Sequence, residues 1–591
     1  MQRTDFTLEH FRHRLAHLDA LPQFAVLGIL SGIVTGCMIV LFRFAIEIPL
    51  RLWLSENDPE NFEALSPLLH FIVPIIGTSL IAILYHCLDE DTRRVGIVRV
   101  LETFNLNEGH FTLKNTVAQF AFGVISLVSG QSAGREGPAV HLGAACNSYL
   151  GQRFHLPNNS IRLLVGCGTA AAISASFNTP IAGIIFAMEV IMMEYTIIGF
   201  TPIILSSISA AIITRVVYGH DPAFIVPALS IKSLWDIPFT LLMGLLMGAL
   251  AAGFICLAKY CTRVNTYPFA YRALAAGVFT GFIAVFVPQV MGVGYDSVNL
   301  AVAGNMSVGL LCLLVVAKLL ATAVPIGLGM PFGLIGPILF VGASAGAAIG
   351  TIGNILLPEH ASEVGIYAML GMGAMMGAVL QAPLAALMAL LELTLNPHII
   401  LPGMLVIVIA NITSRSVFKQ QSIFQTLLAA QGMHLRDSPV LQGLRRVGVV
   451  SLMNKNFSVH ERVIDQAEAF ALLTDNPEWI VITCERKPVA LLPGLDLARY
   501  LEEQELAEKE QAKLGEKQDQ KQKSDIDLLA IPARRLDLQP IHRQATVQEA
   551  LDTLQRTGIE ALYVERIQAP MIHSVFGIIT RKDIENYYLH N

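Results

Sequence analysis

Stretches without a charged side chain recur along the first 430 residues: Leu163 to Met188, Ile237 to Ala258, Ala273 to Tyr295, Leu319 to Pro358 and Val364 to Leu391. About 20 apolar residues cross the hydrocarbon of a bilayer once, so these runs predict membrane-spanning helices. The run from Leu319 to Pro358 is too long for one helix and too short for two with a loop, and Pro325, Gly327, Gly329, Pro331, Gly333 and Pro337 interrupt it. The pattern predicts helices that stop and restart at membrane depth. Broken backbone is tolerated there only when protein covers it or it lines a water-filled cavity, which points to a transport path.

The pattern also repeats. A shift of 203 positions lays Gly168 on Gly371, Ala171 on Ala374, Pro180 on Pro383, Ala182 on Ala385 and Glu189 on Glu392, and Gly137-Pro138 has a looser counterpart in Gly336-Pro337. Two related membrane halves, 21–218 and 235–425, are expected, preceded by a cytosolic N-terminal helix over 1–20. Basic residues sort by connection: Arg93, Arg94, Arg99 and Lys114; Lys259, Arg263 and Arg272; Arg415 and Lys419. Those segments, and both termini, are expected on the cytosolic side of a plasma or inner membrane.

Composition divides the chain. Of its 591 residues 53% are hydrophobic and 15% charged, against roughly 25% charged in a soluble domain. Of the 86 charged residues, 44 fall in the last 161, about 27% of that segment against about 10% of the rest. The tail reads as a soluble appendage. A net charge of −6 gives no basic footprint for nucleic acid. The eight cysteines are scattered without a Cys-x-x-Cys, so neither a disulfide framework nor a metal site is read from them. No paired carboxylates, nucleophile–base arrangement or metal-ligand cluster supports an enzyme.

Within the tail, a linker over 504–527 is built almost wholly of Glu, Gln, Lys, Ala and Asp. Such a composition stays solvated, helical or not. On either side stand similar strand–strand–helix patterns, Val489 to Asp496 and Phe576 to Asp583, and an offset of 87 brings Asp496 onto Asp583.

The most informative segment is Gly134-Arg-Glu-Gly-Pro138 followed by Ala-Val-His-Leu-Gly143, a charged pair in an apolar stretch with Pro138 suited to a first helical turn. A helix N-terminus holds a small anion through unpaired N–H groups, and Glu136 is an anionic competitor for that place. On these residues the chain resembles the CLC family of chloride channels and chloride/proton antiporters, whose G-R-E-G-P motif it matches in full. The resemblance covers nearly the whole chain. It implies an all-α polytopic membrane protein of two inverted repeats with broken helices, forming a homodimer with one anion path per subunit. It makes Glu136 the gating glutamate and Gly134, Arg135 and Gly137 part of the anion site. Gly333-Leu-Ile-Gly-Pro337 looks like the family's second anion-binding helix start, which brings in the amides of Leu334 and Ile335. Phe424 stands where the family usually has Tyr.

Two further departures matter. Arg94-Val-Gly-Ile-Val98 replaces the family's G-S-G-I-P, so Val95, beside Gly96, takes the place of an anion-contacting serine. Val190 takes the place of the internal proton-handling Glu of coupled transporters, and a valine carries no proton. On that ground the reading favours a passive gated chloride channel with Glu136 as its pH-sensitive gate; a chloride/proton antiporter is the alternative, and a cation transporter using Glu189 and Glu392 a remote one. Structural hydrogen bonding is the preferred reading of Glu189 and Glu392, because the repeat suggests a shared packing role. His141 and the Met-rich run Met369 to Met376 are read as packing.

The tail resembles a pair of cystathionine-β-synthase (CBS) domains, 445–503 and 528–591, an α/β module on the cytosolic side. The clearer second copy carries Ala545-Thr-Val-Gln-Glu-Ala-Leu551, Gly558-Ile-Glu-Ala-Leu562 and Gly577-Ile-Ile-Thr-Arg-Lys-Asp583. The resemblance implies an adenine nucleotide with Thr580 on a phosphate and Asp583 on a ribose; Asp496 is kept in the first copy, where Pro493 replaces the threonine. No cofactor is required for transport itself. The partners expected are chloride, the bilayer and, in the antiporter reading, protons.

Overall fold

The computed structural model describes residues 21–54, 58–195, 197–219, 224, 236–356, 362–433, 443–513, 525–569 and 572–590. The expected N-terminal helix over 1–20 and the part of the linker over 514–524 lie outside the described residues. The chain forms two compact units, 21–154 with 161–435, and 436–591 with 155–160.

The first unit is helical. Its first half runs α1 (Leu21–Trp53), α2 (Pro67–Cys87), α3 (Ile97–Leu106), α4 (Leu113–Val128), α5 (Glu136–Arg153), α6 (Asn158–Phe177), α7 (Pro180–Phe186) and α8 (Ile197–Tyr218). The second half repeats the order: α9 (Asp236–Cys261), α10 (Phe269–Phe286), α11 (Tyr295–Val302), α12 (Val308–Gly327), α13 (Ile335–Leu356), α14 (Val364–Leu380), α15 (Pro383–Thr394) and α16 (Ile400–Ile412), followed by α17 (Ile423–Ala430). Nine helices among the described residues are long and apolar enough to cross a membrane. The unit is an all-α polytopic membrane protein with broken helices.

The breaks fall where proline and left-handed backbone coincide. The run from Leu319 to Pro358 divides into α12 and α13 around residues 328–334. Two runs that read as single spans are in fact helix pairs. Leu163 to Met188 breaks at Asn178 (φ 59°) before Pro180, and Val364 to Leu391 breaks at Gln381 (φ 55°) before Pro383. Proline fixes a helix start and disfavours helical backbone just before it, so both repeats turn at the same place.

Small residues bring the helices together. A β-carbon on Gly168 of α6 would stand 2.1 Å from the Gly143 carbonyl of α5, and one on Gly371 of α14 would stand 2.1 Å from the Gly342 carbonyl of α13. Each half thus has the same backbone-on-backbone crossing. Between helices in lipid, such close packing does the work that water does for a soluble core.

The second unit is α/β. Its main sheet has the order β1-β3-β4-β6-β7-β8, from β1 (Phe457–Glu461), β3 (Trp479–Cys484), β4 (Lys487–Pro493), β6 (Leu536–His542), β7 (Ala561–Ala569) and β8 (Ile572–Thr580). β1 pairs parallel to β3 and β3 antiparallel to β4; β6 pairs parallel to β7 and β7 antiparallel to β8. The two halves of the sheet are therefore copies of one motif, joined by the antiparallel pair β4–β6. Helices follow both copies at matching places, α18 (Gly494–Lys513) after β4 and α19 (Arg581–His590) after β8. A short pair, β2 (Val463–Ile464) with β5 (Ile526–Asp527), stands beside the sheet.

Candidate functional site

The two glycine-rich motifs meet. Gly134 N–H donates to the Gly333 carbonyl (2.8 Å) and Gly333 N–H to the Gly134 carbonyl (3.2 Å), a two-bond bridge that sets the starts of α5 and α13 against each other. A β-carbon on Gly137 would fall 2.6 Å from the Gly333 α-carbon, so no larger residue fits. Glu136 is fully buried at this junction. Its Oε2 accepts from Gly336 N–H (3.2 Å) in the first turn of α13, and its Oε1 accepts from the Tyr295 hydroxyl (3.1 Å). The carboxylate thus sits on the partly positive start of the second-repeat helix, where a small anion would be held.

Arg135 turns the other way. Its guanidinium donates to the Ser176 carbonyl (3.0 Å) and lies over the Tyr295 ring, 5.4 Å from the centroid. It lines a small cavity of about 70 Å³ together with Arg43, Glu47 and Glu60. Burial pushes the Glu60 carboxyl, in the connection between α1 and α2, upward against the pull of Arg135. Gly137 lines a larger cavity of about 380 Å³, shared with Val95, Gly96, Leu334 and Phe424, where Arg93, Arg94, Arg99 and Arg272 outnumber Glu90 and Glu102. Glu136 stands between the residue that faces one cavity and the residue that faces the other.

Two basic connections, 93–99 and 259–272, thus converge on one cavity. Arg94 and Arg99 pair with Glu102 at 3.3 and 2.9 Å, and Arg272 donates to the Leu328 carbonyl at 2.8 Å, so the rim is held in place. Phe424 is buried near the start of α17, where Ser422 Oγ accepts from Gln425 N–H. Leu334 and Ile335 are buried at the start of α13, whose first amides have no carbonyl partner inside the helix.

Two residues expected at the anion site have their amides engaged elsewhere. The Gly134 N–H belongs to the bridge, and the Gly96 N–H donates to Gln119 Oε1 at 2.7 Å. Gly96 has φ 85°, a conformation that glycine adopts without strain. Its carbonyl accepts from His141 Nδ1 at 3.3 Å, and Asn115 donates to the Thr92 and Arg94 carbonyls. His141 is packed edge-on against Phe111 and pins this loop.

Val190 is buried in a π-helical turn, Ala187–Met192, that extends α7. Its neighbour Glu189 points to the other repeat. It accepts from Ala385 N–H (2.8 Å) and Leu384 N–H (3.4 Å) at the start of α15. Glu392 returns the favour, accepting from Ala182 N–H (2.7 Å) and Ile181 N–H (2.9 Å) at the start of α7. Each carboxylate caps the opposite repeat, and both of its oxygens are occupied.

In the second unit Asp583 faces its own helix start. Thr580 N–H and Oγ both donate to Asp583 Oδ2, at 2.8 and 2.7 Å, and Asp583 N–H donates back to Thr580 Oγ at 3.3 Å. This is a capping box on α19. Asp496 takes the matching place in the first turn of α18.

Tyr295 and Lys318 were not singled out by the sequence pattern. Lys318, fully buried in α12, donates to the Val290 and Gly292 carbonyls at 3.0 Å each and lies over the Phe340 ring. A lone lysine in the apolar stretch Val308–Gly327 was its signal. Tyr295 closes an apolar run and carried none.

Comparison with known proteins places this geometry. The family model described as voltage gated chloride channel matches residues 77–415. A putative chloride channel protein ClcB-like from Ralstonia nicotianae is 33% identical over 330 residues, which are 55% of this chain and 77% of that protein. The H(+)/Cl(-) exchange transporter ClcA of Vibrio cholerae is 32% identical over 295 residues, 48% of this chain and 63% of its own length, so the chain spans somewhat less than two thirds of that relative. Among solved structures, a slow cyanobacterial Cl−/H+ antiporter superposes with a TM-score of 0.62 at 22% identity, covering 69% of this chain and 97% of its own. A eukaryotic CLC transporter superposes with a TM-score of 0.58 at 17% identity and covers 95% of this chain and 97% of its own. Paired glycine motifs, a carboxylate on the second-repeat helix start and the family match together establish that the chain belongs to the voltage-gated chloride channel (CLC) family of membrane transport proteins.

Proposed function

We propose that the protein exchanges chloride for protons across the membrane, with Glu136 as the group both ions use. The observation that carries this is the Glu136 carboxylate on Gly336 N–H, between a cavity rimmed by arginines and a smaller one. Ionised, the side chain occupies an anion position. Protonated, it loses the charge that made it a competitor, and an anion takes its place. The basic cavity faces the cytosol in this reading, since its rim comes from the basic connections. Chloride collects there on positive charge.

The relatives named as exchangers or antiporters tip the choice from channel to exchanger. The passive channel remains the second reading, favoured by the buried Val190. Exchange then requires protons to reach Glu136 by water. The basic cavity supports such a route, because it extends to Gly137, next to the gate.

The test is chloride and proton movement followed together in liposomes. An exchanger driven by a chloride gradient pumps protons uphill in the wild type and stops doing so in Glu136→Gln. Chloride flux with no proton movement in the wild type would establish the channel. Chloride flux in Glu136→Gln that still responds to acid would remove Glu136 from the mechanism.

A homodimer is part of the proposal. It rests on the family to which the chain belongs. The second unit is proposed to be a cytosolic CBS pair, and its repeated strand pattern supports that. An adenine nucleotide there would have to draw Thr580 and Asp583 away from each other. Calorimetry of the full chain with ATP reads this directly, and silence at millimolar nucleotide would leave the two residues as a helix cap alone.

A further inference from the structure

The gate is held from outside by a residue that belongs to neither glycine motif. Tyr295 opens α11, and its hydroxyl donates to Glu136 Oε1 at 3.1 Å. Its ring is fixed by Phe224, edge-on at 5.2 Å, and by the Arg135 guanidinium on its face. Its N–H donates to Glu60 Oε2 at 3.1 Å. The phenol is therefore aimed, with both ring and backbone anchored. On the cytosolic side of the gate, Val95, Leu334 and Phe424 bring no hydroxyl to the path.

We propose that Tyr295 O–H latches the closed gate and, once Glu136 has left, becomes a ligand of the anion that replaces it. The inference rests on the reading of Glu136 as the gate. A hydroxyl donating to an ionised carboxylate makes a charge-assisted bond, which disappears as a bond to charge when the carboxyl takes a proton. The buried donor then needs another acceptor, because an unsatisfied one is costly. A small anion in the vacated place accepts from Tyr295 O–H and from Gly336 N–H, the same two donors that held the carboxylate oxygens. Arg135, Glu60 and, through the small cavity, Arg43 and Glu47 are the other charged groups around it. Tyr295→Phe removes none of them and keeps the packed ring.

The experiment uses full-length protein and chloride. In liposomes, Tyr295→Phe is expected to move the pH of half-maximal flux upward by about one unit, or about 1.4 kcal/mol, because the closed, ionised gate loses a donor. In the Glu136→Gln background, where no carboxylate competes, Tyr295→Phe is expected to weaken chloride binding by calorimetry about tenfold. A Tyr295→Phe pH profile that superposes on the wild type, with Glu136→Gln insensitive to pH, overturns the latch and leaves the gate standing. Chloride affinity unchanged between Glu136→Gln and the double variant overturns the ligand role. If Glu136→Gln itself keeps its pH response, the gate reading falls and the latch with it. Gel-filtration and melting profiles matching the parent protein show that a shift comes from the hydroxyl and not from misfolding.

Discussion

Glu392→Gln separates a structural carboxylate from a transporting one. Glu392 accepts two short bonds, 2.7 and 2.9 Å, from the first amides of α7. Each bond to an ionised acceptor is worth about 1.5–3 kcal/mol net, and glutamine keeps one neutral acceptor oxygen for the two amides. Ile181, one of the donors, is 47% exposed, so the lower end of that range applies. The expected loss is about 2 kcal/mol, a fall of a few degrees in the melting midpoint. Glu189→Gln should cost less, because one of its two contacts is stretched to 3.4 Å. The assay is the unfolding midpoint of purified protein in detergent at a fixed scan rate, paired with flux per reconstituted molecule. Fixing the scan rate matters because such unfolding is usually irreversible. A capping role lowers the midpoint, in the order Glu392→Gln more than Glu189→Gln, and leaves the ratio of protons to chloride alone. An unchanged midpoint with altered coupling would refute the capping reading and return Glu189 and Glu392 to the transport path.

Three other outcomes follow from the same geometry. Phe424→Tyr places a hydroxyl in the basic cavity and should tighten chloride binding about three- to tenfold by calorimetry, the worth of one hydrogen bond. Gly371→Ala drives a β-carbon to 2.1 Å from the Gly342 carbonyl and should cost about 1–3 kcal/mol, read as a lower melting midpoint, while alanine at the exposed Gly309, where a β-carbon meets nothing, should not. The Arg462 guanidinium beside Asp527 holds that carboxyl below the usual carboxylate range, so the pair's contribution is in place above an unfolded pKa of about 3.9 and is lost as the pH falls through the lower folded value. Protection of the β2 and β5 amides, taken relative to their intrinsic exchange rates, should therefore fall below about pH 4 from its value at neutral pH.

Where the chain punctuates itself, the sequence was readable. Pro180 and Pro383, and Glu189 and Glu392, stand 203 positions apart and Gly134 and Gly333 stand 199 apart, and each pair takes equivalent places in the two halves. What stayed hidden were contacts made by folding across the repeats. Tyr295 lies 159 positions from Glu136, and nothing in its neighbourhood marks it as a partner. Helix boundaries inside uncharged runs are harder to read for another reason: Pro180 and Pro383 mark where a helix can restart, but where the preceding one ends is set by the left-handed backbone of Asn178 and Gln381, which composition does not announce. The choice between channel and exchanger leaned on Val190, one side chain, although a proton can also travel on water that no residue announces.

The bridge between Gly134 and Gly333 also bears on speed. In the exchange proposed above, with the starts of α5 and α13 tied by two backbone hydrogen bonds, the path at Glu136 cannot widen by drawing the two helices apart without breaking that tie. Clearing the way is left to rotation of one side chain about its own bonds. Collective helix or domain movements take microseconds to milliseconds, and a rotamer change is far quicker. The clock of a transport cycle built this way is set by how often a proton or an anion arrives at the carboxylate, so turnover should track ion concentrations on both sides more closely than it tracks the stiffness of the scaffold.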